Sequence, residues 1–389
     1  MKRAALWLLC VLLLTACACA EAGQGARVPE NAAQLENAFS AWLDRMLSIT
    51  ASRSDRIQFF VGWLYENEHG TTHSYEKAAR YYQLSADQGN ADAQYRLGLL
   101  YQEGNGVKQS DVWAKHYIRL SADQGNADAQ YSMGLLCAEE GTALSYDRAV
   151  KYFRMSADQG NVDARYRLGL LYLAGNGVTQ SYKNAAYCFE RCAEAGHADA
   201  QFRLALLYLY GDGVEQSYEK AAQYLQQSAD QGHAEAQYNM GVLYDHGYGV
   251  ALSYEKAAYY YQLSADQGHV EAQYNLGLLY YYGEGVEQSL EKAMYYLQLS
   301  ADQGHAKAQY NLGLMYYLGD GVEQSLDKAA YYFRLSADQG YDKAQYNLGA
   351  MYYSGEGVEQ SLQQAVSYFH QAAEQGNANA IRALEELGE

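Results

Sequence analysis

A chain of 389 residues with 28 Lys+Arg against 46 Asp+Glu carries a formal net charge of −18. That excess excludes recognition of nucleic-acid phosphates and docking of the fold on an anionic lipid surface, because both would be repelled. A single Pro leaves helices almost unbroken, and 41 Tyr exceed ordinary usage and require a structural reason.

Residues 1–20 read as an export signal. Lys2 and Arg3 form a positive start, and Ala4 to Leu14 is an apolar stretch too short to remain in a bilayer as a spanning helix. Two cleavage readings stand. Leu14-Thr15-Ala16-Cys17 has the form of a bacterial lipobox, with Cys17 as the lipidated residue; Ala18-Cys19-Ala20 suits ordinary cleavage before Glu21. The first is preferred because the cysteine falls where the apolar stretch ends. The expected location is the cell envelope, as an outer-membrane lipoprotein or in the periplasm, with secretion as the alternative and the Cys17 lipid as the only membrane contact. Residues 21–55 then read as a tether followed by an N-terminal capping helix over 31–47, with Leu35, Phe39, Trp42 and Met46 on one face and Asn31 and Gln34 as a capping box.

From 56 to 376 one motif is written nine times. Its beat is Ala-Asp-Gln-Gly, with glycines at Gly89, Gly125, Gly160, Gly196, Gly232, Gly268, Gly304, Gly340 and Gly376; each step is 36 residues except Gly125 to Gly160, which is 35. A second ladder, from Gly62 and Gly98 to Gly313 and Gly349, runs in step, with Ala205 as its one methyl-bearing member. Such a period predicts an all-α, right-handed superhelical solenoid of helix-turn-helix units rather than separate globular domains. In the unit Asn90 to Gly125, Asn90 is an N-cap and Ala93, Leu97, Leu100 and Tyr101 form a buried stripe of helical period. Gly98 is costly in a helix by about 1 kcal/mol relative to Ala, so its recurrence predicts a close helix crossing. Gly104-Asn105-Gly106-Val107 ends this helix A, and Ser110 caps helix B. Helix B alternates small residues with tyrosine, as in Ala78, Tyr81, Tyr82, Ser85 and Ala86, where the small ones admit the partner helix and the rings fill volume with the hydroxyl at a wet edge. Residues 377–389 begin another helix A and stop, a C-terminal cap.

The pattern Ala-x-Tyr-x-Leu-Gly-x-Leu-Tyr, then Gly-x-Gly-Val, then Lys-Ala and Ala-x-x-Gly, resembles the Sel-1-like repeat, a relative of the tetratricopeptide repeat, over residues 56–376. The resemblance implies a scaffold or adaptor that binds proteins in a curved groove, and, for exported bacterial members, envelope or host-interaction roles. It departs at Gly141 to Ser145, which loses a residue and the Gly-x-Gly-Val loop, and in the first copy at His69-Gly70-Thr71-Thr72-His73. A cysteine-rich secreted subset of the family has been associated with β-lactam binding; its regular cysteine pair per unit is missing here.

The chain offers no catalytic constellation, metal set or cofactor motif. His197, His233, His269 and His305 open successive units where others have Asn90, Asn126, Asn161 and Asn377, which makes them helix starts. The Asp87, Asp123 and Asp158 series is a solvated ridge, and Gly-x-Gly-Val follows a helix and is a turn, not a phosphate loop. Cys188 and Cys192 read as small buried substitutes for Tyr and Ser, with a bridge from Cys137 to one of them as the alternative. The expected function is non-catalytic protein or peptide binding at the helix A faces. On those faces Asp92 and Arg96 stand at i,i+4 and would neutralise each other. In later copies the Arg96 position becomes Asn239, Asn275, Asn311 and Asn347, expected to stand without a charged partner and to bond a peptide backbone. Tyr210, His246 and Tyr282, further along the same faces, would hold its side chains, and Lys307 and Lys343 an acidic or C-terminal carboxylate end.

Overall fold

The computed structural model describes residues 54–67 and 73–389. The export signal, Cys17, the tether, the helix over 31–47 and residues 68–72 of the first loop lie outside them. The chain divides into two compact units, one ending at Gln180 and one running from Ser181 to Glu389. The first holds α1 (Asp55–Glu66), α2 (Tyr75–Ala86), α3 (Ala91–Glu103), α4 (Asp111–Asp123), α5 (Ala127–Glu139), α6 (Ala143–Asp158) and α7 (Val162–Ala174). The second holds α8 (Tyr182–Glu194), α9 (Ala198–Tyr210), α10 (Tyr218–Ala229), α11 (Ala234–His246), α12 (Tyr254–Ala265), α13 (Val270–Tyr282), α14 (Leu290–Asp302), α15 (Ala306–Leu318), α16 (Leu326–Ala337), α17 (Asp342–Ser354), α18 (Leu362–Glu374) and α19 (Ala378–Leu387). Odd-numbered helices are A helices and even-numbered ones B helices; within each unit every helix packs chiefly on its neighbours in chain order.

Sequence dictates the helix ends. Asn90 and Ser110 accept backbone N–H groups of α3 and α4 through their side chains, and Gly104 closes α3 at φ 76°. The shortened copy starts its B helix earlier, at Ala143, under a Thr142–Ser145 capping box, which lengthens α6 to 16 residues. The recurrent glycine within helix A marks a close crossing with helix B at Gly62, Gly98, Gly134, Gly241, Gly277, Gly313 and Gly349. A Cβ on Gly98 would lie 2.6 Å from Ile118 Cγ1 and 3.1 Å from the Ile118 backbone nitrogen. The second loop glycine has another reason: a Cβ on Gly106 would strike the backbone of Tyr75 at the start of the preceding copy's B helix. The Gly-x-Gly-Val turn is therefore also a packing contact between copies.

Two polar ladders run through the interior, and the alternation of small residues with tyrosine does not announce them. The helix B serine is a hydrogen-bond donor: Ser121 Oγ reaches Ala91 O at 2.7 Å in the first unit, and Ser264 Oγ reaches Ala234 O at 2.9 Å in the second. The glutamine of Ala-Asp-Gln-Gly bonds a buried helix A glutamine, as in Gln124 Nε2 to Gln94 Oε1 at 2.6 Å and Gln303 Nε2 to Gln273 Oε1 at 2.8 Å. The helix A amide in turn donates to the last turn of the preceding helix B, with Gln273 Nε2 at 3.2 Å from Ala265 O. These bonds satisfy groups whose burial would otherwise be costly.

The tyrosines are explained by a stack repeated in most copies. Tyr244 lies parallel to Tyr260 at 5.7 Å, Tyr280 to Tyr296 at 5.8 Å, and Tyr316 to Tyr332 at 5.7 Å. The lysine of the Lys-Ala motif covers the outer ring: Lys256, Lys292 and Lys328 lie 5.0, 4.9 and 4.9 Å from the rings of Tyr244, Tyr280 and Tyr316. Cys137 is a buried free thiol, so no bridge from it forms; Cys188 and Cys192 are buried and fill the positions held by Tyr81 and Ser85 in α2. Burial raises the Cys137 thiol above its ordinary value.

Candidate partner-binding site

Four A helices of the second unit, α9, α11, α13 and α15, begin with imidazole caps. His233, His269 and His305 each accept a backbone N–H at Nδ1, from Ala236 at 3.2 Å, Ala272 at 3.2 Å and Ala308 at 3.1 Å. Their Nε2 atoms lie 3.2 Å from Asp199, Glu235 and Glu271, each two residues into the preceding A helix. In the first unit the caps do the same with an amide: Asn126 Nδ2 donates to Asp92 at 2.8 Å. This overturns the expected Asp92–Arg96 pair. A cap side chain has a second polar atom that points to the preceding copy and takes the acid, while Arg96 lies 3.8 Å from Glu66. The row breaks once. Lys307 replaces the acid, and the next cap residue, Tyr341, makes no cap bond and sets its ring edge-on to Tyr310 at 5.2 Å.

The four asparagines are half-buried and are not bare. Asn275 sits beside the hydroxyls of Tyr238 and Tyr261, Asn311 beside that of Tyr274 and Asn347 beside that of Tyr310, and each amide counters the rise that burial imposes on the phenol. Asn239 Nδ2 donates to Glu235 O at 2.7 Å. The first unit uses Ser132 at the same position, 3.2 Å from Tyr95 Oη. Burial holds the Tyr238, Tyr274 and Tyr310 hydroxyls above their ordinary values, so they remain protonated. The row ends at Tyr346, because the equivalent of Asn347 in α19 is Ala383.

The other members of the expected set lie at the surface. Tyr210 and Tyr282 are 71% and 63% exposed. His246 stacks on Tyr248 at 5.4 Å, with Nδ1 3.1 Å from Val242 O. Lys307 and Lys343 are exposed and form no ion pair among the described residues. One open cleft, of about 480 Å³, brings Lys343 and Asn347 together with Tyr310, Tyr346 and Asn379. Among the described residues, no group of three or more His, Cys, Asp or Glu is placed to hold a metal ion, and no helix is long and apolar enough to cross a membrane. Sequence reasoning missed the exposed B-helix tyrosines Tyr259, Tyr295 and Tyr331; their signal was a Tyr-Tyr pair recurring at the same step.

The sequence pattern of the Sel1 repeat matches nine successive segments, 58–90, 91–126, 127–161, 162–197, 198–233, 234–269, 270–305, 306–341 and 342–377. The chain belongs to the Sel1 repeat family. Among solved structures it is similar to c5321, described as a protective antigen present in uropathogenic Escherichia coli strains displaying an SLR fold, at 34% identity and a TM-score of 0.82 over 94% of this chain and 77% of that one. It is also similar to a Sel1 repeat protein from Oxalobacter formigenes, at 27% identity and a TM-score of 0.55 over 93% of this chain and 98% of that one. No curated protein sequence matches it. The fold is thus an all-α solenoid of Sel1 repeats of bacterial type, a fold that typically serves as a non-catalytic scaffold for binding proteins.

Proposed function

We propose that this Sel1 repeat protein is a non-catalytic scaffold of the bacterial cell envelope that binds a protein or extended peptide along the A helices of its second unit. The observation that carries the reading is the pair Lys307 and Lys343, exposed cations without an ion partner in a chain of net charge −18. They replace the acids at the corresponding position of the preceding A helices and flank the half-buried Asn311 and Asn347. A carboxylate of the partner would meet the lysines, and the exposed rings of Tyr210 and Tyr282 offer apolar contact beyond them. Each Asn keeps hydrogen-bonding capacity beyond its internal contact, since an amide carries two donors and an acceptor with two lone pairs.

The test is crosslinked capture from the envelope fraction, comparing the wild type with the double variant Lys307→Glu and Lys343→Glu. Neither lysine takes part in an internal bond, so the fold is retained while partner capture falls about tenfold or more. Unchanged capture by a folded variant removes the A-helix face from consideration. Anchoring is tested separately: a fatty-acid probe labels the wild type and not Cys17→Ser, and equal labelling of both rejects the lipid anchor. A second reading, a surface or secreted factor that contacts a host protein, is favoured by the likeness to c5321, the protective antigen. Specific capture of host proteins with no envelope partner would select it.

A further inference from the structure

Tyr259 on α12, Tyr295 on α14 and Tyr331 on α16 recur at the repeat period and are 59%, 58% and 55% exposed. Each sits edge-on to its chain neighbour, Tyr260, Tyr296 or Tyr332, at 5.1, 5.0 and 5.2 Å. Those neighbours are fixed on both sides. They belong to the parallel stacks described above, and their hydroxyls donate to Gln226, Gln262 and Gln298 of the preceding B helix at 2.6, 2.9 and 2.8 Å. The exposed rings thus rest on a rigid support and have little freedom to lose on binding.

Beside Tyr259 a cleft of about 280 Å³ is lined by Tyr259, Tyr260, Leu263, Gly232 and Asp230. Asp230 is exposed and held at the rim by Gln226 at 2.6 Å; Asp266 and Asp302 are held alike by Gln262 and Gln298 beside Tyr295 and Tyr331. The nearby lysines Lys256, Lys292 and Lys328 are engaged with the A-helix rings. The row therefore offers aromatic and aliphatic surface with carboxylates at its edge. The same position on α8 is Tyr187, and there the ring already takes a cation, with Arg191 5.9 Å from its centroid. Gln223 on α10 and Ser367 on α18 bound the row.

We propose that this row binds a polyproline II segment of another protein that carries basic residues. Successive B helices lie within reach of one tyrosine-to-glutamine hydrogen bond, and a polyproline II turn of three residues advances about 9 Å, so an extended segment laid along the row passes from one tyrosine to the next. Pyrrolidine rings fit between aromatic ridges, and the segment is pre-ordered and needs no backbone donor from the surface. Basic residues at the edge meet Asp230, Asp266 and Asp302. The surface lies on helices other than those of the A-face site, so either can fail alone.

The experiment titrates the purified protein with a labelled peptide of repeating Pro-Pro-Lys, with Ala-Ala-Lys and Pro-Pro-Glu peptides of equal length as controls. Pro-Pro-Lys binds about tenfold tighter than Ala-Ala-Lys, a difference expected from aromatic contact, and Pro-Pro-Glu does not bind. Tyr295→Gln, which installs the residue native at Gln223, weakens Pro-Pro-Lys about tenfold. Should Tyr295→Gln fail to fold, Tyr331→Ser, which installs the residue native at Ser367, reads the same effect. Equal affinity for the two lysine peptides, no binding of Pro-Pro-Lys, or full binding by the folded variant overturns the proposal.

Discussion

Set α3 and α5 beside α13 and α15. In the first unit the helix A face is closed by charge and small groups: Arg96 lies against Glu66, Asn126 against Asp92, and Ser132 against Tyr95. In the second, imidazoles take the caps, amides replace Arg and Ser, and two lysines are left unpaired. Beneath these four helices the interior is the same, with a Gly crossing, a Ser donor and a Gln pair in each of their copies. A solenoid separates these two layers because each copy touches only its neighbours. The inner layer can repeat unchanged while the outer one varies, and the variation is where function is to be sought.

The largest test of this separation attacks the shared interior. Gly277→Leu would place a side chain 2.9 Å from Leu297 Cγ and 3.2 Å from its backbone nitrogen. Overpacking of this kind costs about 1–3 kcal/mol, whereas Leu278 is only half-buried and Leu278→Ala costs less. Melting curves that fall together would contradict the assignment of helix faces. Next, Gln130→Ala in the first unit and Gln273→Ala in the second strip the same ladder. Each removes one bond between facing glutamines and one donor to a helix B carbonyl, while Gln159 and Gln303 keep their bonds to Met155 O and Leu299 O, at about 0.5–1.5 kcal/mol per lost bond. Matching losses in denaturant titration confirm a common interior; a loss in one unit only would break the comparison.

The caps give a smaller, pH-dependent difference. His305 is held below the ordinary imidazole value of 6.5, chiefly by burial, with Glu271 opposing and Lys307 assisting. A depressed folded value means that the folded state favours neutral imidazole. Its stability contribution is present above the unfolded value and is lost as the pH falls from there through the folded one. His305→Asn, the cap native at Asn126, is expected to flatten that part of the stability–pH curve by about 1 kcal/mol or less. A curve with unchanged slope between about pH 7 and 5 refutes a titrating cap. Smallest of all, Lys292→Met removes the cation from Tyr280 and costs about 0.5–1 kcal/mol; no change in melting temperature would show that the lysine is solvated rather than stacked.

The repeat, the helix pairs and the glycine crossings are legible because each leaves a periodic mark: Gly98 and its kin are tolerated only where a neighbour comes too close for a Cβ. The Ser and Gln ladders are equally periodic, yet their meaning is hidden. A residue that recurs as a small packer and one that recurs as a donor look alike until a carbonyl is placed 2.7 Å away, as Ala91 O is from Ser121. The Asp92 and Asn275 files mislead for the same reason. Their partners come from adjacent copies, and helical spacing within one copy is blind to them. The A-face lysines are visible as sign changes in an acidic file, and the tyrosines of α12, α14 and α16 are visible only as excess until exposure separates them from the stacked rings.

The repeated bonds have fixed separations in the chain, 30 residues for the Ser and Gln bonds within a copy and 34 for the Tyr–Gln and His–acid contacts between copies of the second unit. Excising one complete period between equivalent positions would therefore return each of these donors to an acceptor of the same kind. Unequal exchange between the gene's own copies would lengthen or shorten the array with the same bonds formed at the join. Array length then becomes a heritable variable, adjustable in steps of one unit without redesign of any contact.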